Sequence, residues 1–164
     1  MTAAESAYDA LVRAGATVAL AESLTGGAVA AALTSVPGAS AVVLGGVVAY
    51  ATPVKADVLG VDADLLARRG AVDPDVARQM AVGVRRLLGA TYGVATTGAA
   101  GPDPAAGGTE APDVPAGTAY VAVAGPHGTE VLPLRLGGER AQVRAAVVDA
   151  ALELLASMSA TGRP

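Results

Sequence analysis

The chain of 164 residues contains no cysteine, no phenylalanine and no tryptophan, and it has one histidine. Without cysteine there can be no disulfide, no thiolate metal centre and no cysteine nucleophile. The one histidine, His127, excludes two-histidine zinc motifs, and its place in the turn "GPHG" reads as a hairpin tip, which sets a Ser-His-Asp triad aside. Tyr8, Tyr50, Tyr92 and Tyr120 are the only aromatics, and the formal net charge is -4. Bases would find few rings to stack on and a phosphate backbone no basic face, so nucleic acid is not an expected partner. No Walker loop, GxGxxG or GxSxG elbow occurs. The acids Asp57, Asp62, Asp64, Asp73 and Asp75 read as helix caps and surface charge, so neither a metal nor a cofactor is expected.

What is present is a core of small aliphatics. Half of the chain (52%) is apolar, and Ala, Val and Leu must fill the interior. The length suits one domain spanning residues 1–164. The opening "MTAAESAYD" lacks the basic start and apolar block of a secretory signal and reads as a helix start, so a cytoplasmic location is expected. Leu24 to Val54 carries no charge, but Gly26, Gly27, Pro37, Gly38, Gly45 and Gly46 cut it too often for a membrane span, which needs about 20 apolar residues in one helix. That stretch reads as a buried helix followed by a buried strand, with no membrane partner.

Thr2 and Glu5 form a capping box for a helix over residues 3–14 that Gly15 ends. "ATVAL" is a short strand, "AVAAALTS" a small-residue helix, and "GGVVAYA" a second strand too apolar to have a wet face. Pro53 opens a short helix, and Asp62 and Asp73 cap two more, the second with Pro74 in its first turn and Val76, Met80, Val84 and Leu87 on its buried face. "TYGVATT" is the third strand and runs into a long Gly/Pro loop. "TAYVAVA" and "TEVLPLRL" form a hairpin around "GPHG", with Pro133 placing the latter at an edge. A long helix facing inward through Val143, Val147, Ala151 and Leu154 closes the chain. Helices alternating with strands, then a hairpin, specify an α/β fold: a three-layer α/β/α sandwich with a mixed β-sheet. The apolar edge hairpin favours self-association, and a homo-oligomer is expected.

Open α/β sheets bind ligands beyond the carboxyl ends of their strands. Three such ends here are rich in glycine and hydroxyls: "ESLTGG", "ATPVK" and "TTGAAGP". In the first, a helix beginning near Thr25 would offer unpaired N–H groups, and its glycines would admit an anion. The same residues also serve a plainer purpose, with Ser23 or Thr25 capping its own helix and the glycines allowing tight packing. Lys55 is the first charge after the neutral stretch. Alone it would be an ordinary surface lysine, but a hydroxyl nucleophile without histidine needs another base, and a desolvated lysine can serve. Lowering a lysine pKa from about 10.4 to about 7 takes about 4 to 5 kcal/mol of disfavoured charge. That demands burial or a neighbouring cation, for which Arg140 is the candidate.

"AESLTGG", "GGVVAYATPVKADVLGV", "TGAAGPDP" with the following "GGTE", and "GTAYVAVAG" leading to "LGGERAQVR" together resemble the CinA C-terminal domain family, the nicotinamide mononucleotide amidases. The resemblance runs in order from about Ala16 to Leu155. It implies a three-layer α/β/α fold and hydrolysis of the carboxamide of nicotinamide mononucleotide to nicotinic acid mononucleotide and ammonia, with a small nucleotide as partner. By motif, it assigns catalytic roles to Ser23, Lys55 and Tyr50, and substrate contacts to Glu22, Thr25, Gly26, Gly27, Thr97, Gly98, Gly101, Pro102 and Arg140. Arg144 stands as a second cation for a phosphate. The sequence departs from the family's pattern at Leu24, where cysteine is usual, at Ala51, Thr52 and Pro53 in place of polar groups, and near Val114, where a lysine is replaced by the neighbouring Asp113. Longer members of the family carry an additional N-terminal domain, whose activities are not assigned to this chain. Two other readings stay open: a non-catalytic nucleotide-binding or regulatory module, and amidase action on a different small carboxamide.

Overall fold

The structure, a computed structural model, describes residues 1–161. Five strands, β1 (Val18–Glu22), β2 (Val43–Val48), β3 (Tyr92–Gly98), β4 (Thr118–Gly125) and β5 (Gly128–Arg135), form one sheet in the order β2-β1-β3-β4-β5. The first three are parallel, and β4 and β5 run antiparallel to β3 and to each other, so the sheet is mixed. Six helices cover it: α1 (Ala3–Ala14), α2 (Ala28–Thr34), α3 (Thr52–Asp57), α4 (Ala63–Arg69), α5 (Pro74–Leu88) and α6 (Arg140–Thr161). This is the expected α/β sandwich.

Two cores result, one on each face of the sheet. Val18 and Leu20 of β1, with Val94, Val121 and Val123, meet α1, α2 and α6 through Leu11, Val29, Leu33, Val147 and Leu155. The alternate residues Ala19, Ala21, Ala95, Ala122 and Ala124 meet Val76, Met80 and Val84 of α5. Strand alternation thus sorts the sheet into a large-residue face and a small-residue face. On the small face α5 sits at backbone contact with two neighbours: a Cβ at Gly93 of β3 would collide with the Ala81 carbonyl of α5, and one at Gly83 of α5 with the Leu59 carbonyl in the connection after α3. Such close seating explains how a chain without Phe or Trp excludes water from its core.

Local chemistry sets the boundaries. Thr2 and Glu5 make the reciprocal capping box, and Gly15 ends α1 in the left-handed conformation. Asp73 accepts from the N–H groups of Asp75 and Val76 at the start of α5. Asp62 caps α4 in the same manner.

Four expectations need correction. β2 is an edge strand whose residues alternate between half-buried and exposed, with Leu44 and Val48 on the wet side, so one of its faces is left uncovered. Leu87 shares the stripe of Val76, Met80 and Val84 but lies in the last turn of α5 and is exposed, while Ala77 and Ala81 complete the buried face. In α6, Leu152 and Leu155 are fully buried and Leu154 only half-buried, so the stripe sits one residue further along than expected. The helix after β1 starts at Ala28, not near Thr25. Among the described residues, no helix is long and apolar enough to cross a membrane.

Candidate active site

The carboxyl ends of β1, β2 and β3 come out side by side, since Glu22 stands opposite both Val48 and Thr96. β1 passes through Glu22 into the turn that carries Ser23, and β2 passes through Ala49 and Tyr50 into α3, which carries Lys55. Thirty-two residues apart in sequence, the two side chains meet. Lys55 Nζ lies 3.0 Å from Ser23 Oγ.

Lys55 is 1% exposed, and Ser23 9%. Burial alone lowers the lysine from its usual 10.5 to about 8, so at neutral pH a usable fraction is the free amine. Of the two expected causes it is burial and not Arg140 that acts; the Arg140 guanidinium donates to the Gly101 carbonyl (2.8 Å) and to the Tyr50 hydroxyl (3.1 Å). Nζ also donates to the carbonyls of Ala49 (2.7 Å) and Tyr50 (3.3 Å). These two acceptors fix the tetrahedral amine. When the ammonium loses one proton the two carbonyls retain the two remaining N–H groups, and the lone pair faces Ser23 Oγ.

The turn after β1 is organised from within. Ser23 N–H donates to the Thr96 carbonyl (3.0 Å) and Gly26 N–H to the Ser23 carbonyl (3.0 Å), closing a tight turn in which Gly26 and Gly27 have φ of +62° and +102°. Those angles are open to glycine at little cost. Leu24, the departure from the family's usual cysteine, points into the core at 4% exposure. The expected anion seat at the start of α2 is already filled. The Glu22 carboxylate accepts from the N–H groups of Gly27 (3.0 Å), Val29 (3.0 Å) and Ala30 (2.8 Å), and Ala28 N–H donates to the Thr25 carbonyl. Thr25 Oγ1 donates to Glu22 (2.6 Å) and shares a hydrogen bond with Thr96 Oγ1 (2.8 Å). Glu22 and Thr25 are thereby spent inside the protein. Among the described residues, nothing accepts from the N–H groups of Leu24 and Thr25.

Other expected residues divide in the same way. Thr97 follows Ala95 onto the α5 face and is buried there, where it donates to the Ala71 carbonyl (2.6 Å), while Thr96 faces the other way, to Thr25. Gly98 gives Leu24 and Ala119 room: a Cβ there would fall 2.9 Å and 2.7 Å from their side chains. Gly101, Pro102 and Arg140 instead wall an open cavity of about 630 Å3, together with Gly137, Gly138 and Glu139. Tyr50 stands beside this group, 59% exposed, with its hydroxyl on Arg140 and its carbonyl on Lys55. Arg140 therefore spans from the cavity wall to the residue that orients the lysine. Ala51, Thr52 and Pro53 are exposed. The long loop that includes Asp113 docks on α4, where Thr109 and Glu110 N–H groups donate to the carbonyls of Ala67 and Arg68, and Asp113 accepts from Gly107 N–H.

Thr96 is a member of the site that the motifs do not point to. Thr96 was legible only as one half of the "TT" pair that ends β3. Arg144, expected on a phosphate, donates instead to the carbonyls of Leu24 (2.9 Å) and Thr25 (3.0 Å).

Known proteins share this arrangement of strands and loops. A CinA-like protein of Frankia casuarinae is 53% identical over 150 residues, which is 92% of this chain and 33% of that protein. A CinA-like protein of Anaeromyxobacter sp. strain K is 55% identical over 138 residues, 84% of this chain and again 33% of that one. The chain thus spans about a third of the length of the curated relatives it matches. Among solved structures, the competence/damage inducible protein CihA from Agrobacterium tumefaciens superposes with a TM-score of 0.86 at 37% identity, covering 95% of this chain and 94% of that one. The competence damage-inducible protein A (ComA) from Klebsiella pneumoniae does so with a TM-score of 0.89 at 32% identity, covering 99% and 100%. A family model for the CinA C-terminal domain matches residues 1–159, and with these likenesses in sequence and in fold the chain belongs to that family.

Proposed function

We propose that the protein is a serine amidohydrolase that converts nicotinamide mononucleotide to nicotinic acid mononucleotide and ammonia. The observation that carries this reading is the buried lysine amine 3.0 Å from a serine hydroxyl at the carboxyl edge of the sheet. A non-catalytic module has no use for a lysine stripped of water, whereas an amidase lacking histidine needs one.

In the first half-reaction, Ser23 Oγ attacks the carboxamide carbon and its proton passes to Lys55 Nζ. The tetrahedral oxyanion is held by the N–H groups of Leu24 and Thr25; a donor of this kind is typically worth about 10²–10³ in rate. Lys55 returns the proton to the amide nitrogen as the C–N bond breaks and ammonia leaves. In the second half, Lys55 takes a proton from water, the hydroxide adds to the acyl-enzyme, and collapse releases the carboxylate while the proton returns to Ser23. With the start of α2 occupied by Glu22, the 5'-phosphate falls to the cavity beside Gly101 and Gly138, with Arg140 as its cation. No metal or cofactor enters the scheme, and the partner is the small nucleotide.

Ammonia release tests the reading. The wild type should form ammonia and nicotinic acid mononucleotide in equal amounts, and Ser23→Ala should lose at least about 10³-fold in kcat, the usual scale for a missing nucleophile. Full turnover by Ser23→Ala would remove the serine from the mechanism. A wild type active on nicotinamide or glutamine but not on the mononucleotide would reassign the substrate.

A further inference from the structure

The turn that presents Ser23 is gripped from two sides by ionisable side chains, neither of which faces the cavity. On one side stands Glu22, 3% exposed, whose two carboxylate oxygens take four donors: the Thr25 hydroxyl and the N–H groups of Gly27, Val29 and Ala30. On the other side Arg144 of α6 makes two bonds to consecutive carbonyls, those of Leu24 and Thr25. The carboxylate holds the donors of this segment and the guanidinium holds its acceptors.

The geometry of a trans peptide turns this grip into an orientation. A peptide carbonyl points opposite to the N–H of the same unit. Fixing the Leu24 carbonyl on Arg144 therefore aims the Thr25 N–H away from α6, and this is one of the two N–H groups of the turn without a protein partner. Strand alternation does the rest. Glu22 follows Val18 and Leu20 toward α2, and Ser23, the next residue, turns the other way, to Lys55 on α3.

We infer that Glu22 and Arg144 are positioning residues: together they fix the backbone from Ser23 to Thr25 so that Ser23 Oγ stays on Lys55 Nζ with the Thr25 N–H free, and neither touches substrate. The inference rests on the serine amidohydrolase reading above. A carboxylate is needed in the first place because every group facing it is a donor. Glutamine would set its own NH2 among four donors and leave some of them unpaired.

The test measures Ser23 directly with a fluorophosphonate probe, following the labelling rate by mass spectrometry, alongside kcat and KM for nicotinamide mononucleotide. Wild type is expected to label at Ser23. Glu22→Gln is expected to lose about 100-fold in both labelling rate and kcat, with KM within about threefold of wild type and the midpoint of the pH profile unmoved, because the surroundings of Lys55 are untouched. Arg144→Ala is expected to lose about 10-fold in the same two quantities, with partial recovery in Arg144→Lys. If Glu22→Gln does not melt cooperatively, Arg144→Ala decides alone, since it leaves the cap of α2 in place. A labelled wild type with variants that label equally fast overturns the inference and leaves the serine reading standing. A rise in KM with kcat unchanged also overturns it, by making these residues substrate contacts. A wild type that never labels at Ser23 takes down the serine reading, and the inference with it.

Discussion

The connection that follows β1 and the one that follows β3 are built from similar residues, glycines beside hydroxyls, and leave the same edge of the sheet. After β1 the backbone closes on the protein itself: Glu22, Thr96 and Arg144 take up most of its polar groups, and Leu24 anchors it in the core. After β3 the chain passes Gly101 and Pro102 along the wall of an open cavity, with Arg140 across it. Glycine content does not distinguish a frame from a receptor. The partners already supplied by the fold do.

The sharpest way to break this contrast is at Lys55, which belongs to the frame by burial and to the chemistry by position. Lys55→Met is expected to lower kcat by at least about 10³-fold, on the scale of removing a catalytic base. Wild-type activity is expected to rise with pH through a midpoint of about 8, because the free amine is the base. Stability carries the complementary sign. A lysine whose folded pKa is lowered to about 8 from 10.5 holds fewer protons folded than unfolded between those values. Its burial therefore costs about 3 kcal/mol below pH 8, and the cost fades as the pH rises to 10.5. The melting-temperature gain of Lys55→Met over wild type, measured calorimetrically, should be largest near pH 7 and shrink toward pH 10.5.

A smaller effect sharpens the receptor side. Arg140→Ala should raise KM for nicotinamide mononucleotide about 10- to 100-fold, the range for a charge-assisted contact of about 1.5–3 kcal/mol. It should leave KM for the riboside, which lacks the phosphate, within about twofold. Equal losses on both substrates would place Arg140 in the frame with Arg144.

The smallest and most direct comparison substitutes one glycine in each connection. Gly26 and Gly101 both have positive φ, +62° and +90°. Alanine at either should cost about 1–2 kcal/mol of stability in a denaturant titration. Gly26→Ala is expected to lower kcat about 10-fold with KM steady, and Gly101→Ala to raise KM several-fold with kcat steady. The same kinetic signature from both would dissolve the distinction.

Much of this fold is legible in local chemistry. Thr2 with Glu5, Asp62, Asp73 with Pro74, and Gly15 mark helix ends because each acts on neighbours a few residues away. Burial across the sheet is less legible, since "GGVVAYA" reads as too apolar to have a wet face, yet β2 lies at the sheet's edge with alternate residues exposed. The Ser23–Lys55 pairing follows from motif and from the exclusion of histidine. The fate of Glu22 does not, because an acid beside a glycine turn looks the same whether it faces a ligand or its own helix. The partners of Thr96 and Thr97 are illegible for a related reason: of two adjacent threonines, only strand phase decides that Thr96 bonds to Thr25 of the nucleophile turn and Thr97 to the Ala71 carbonyl.

The seating of α5 against the sheet limits how this protein can change. Where Gly93 of β3 meets the Ala81 carbonyl the two layers touch main chain to main chain, and Gly83 of α5 meets the Leu59 carbonyl of the connection after α3 as closely, so even one methyl group has nowhere to go. The opposite layer, held by leucines and valines with several rotamers each, can trade volume between neighbours. Redesign will therefore find its latitude under α1 and α6, while Gly83 and Gly93 on the α5 side admit no larger residue.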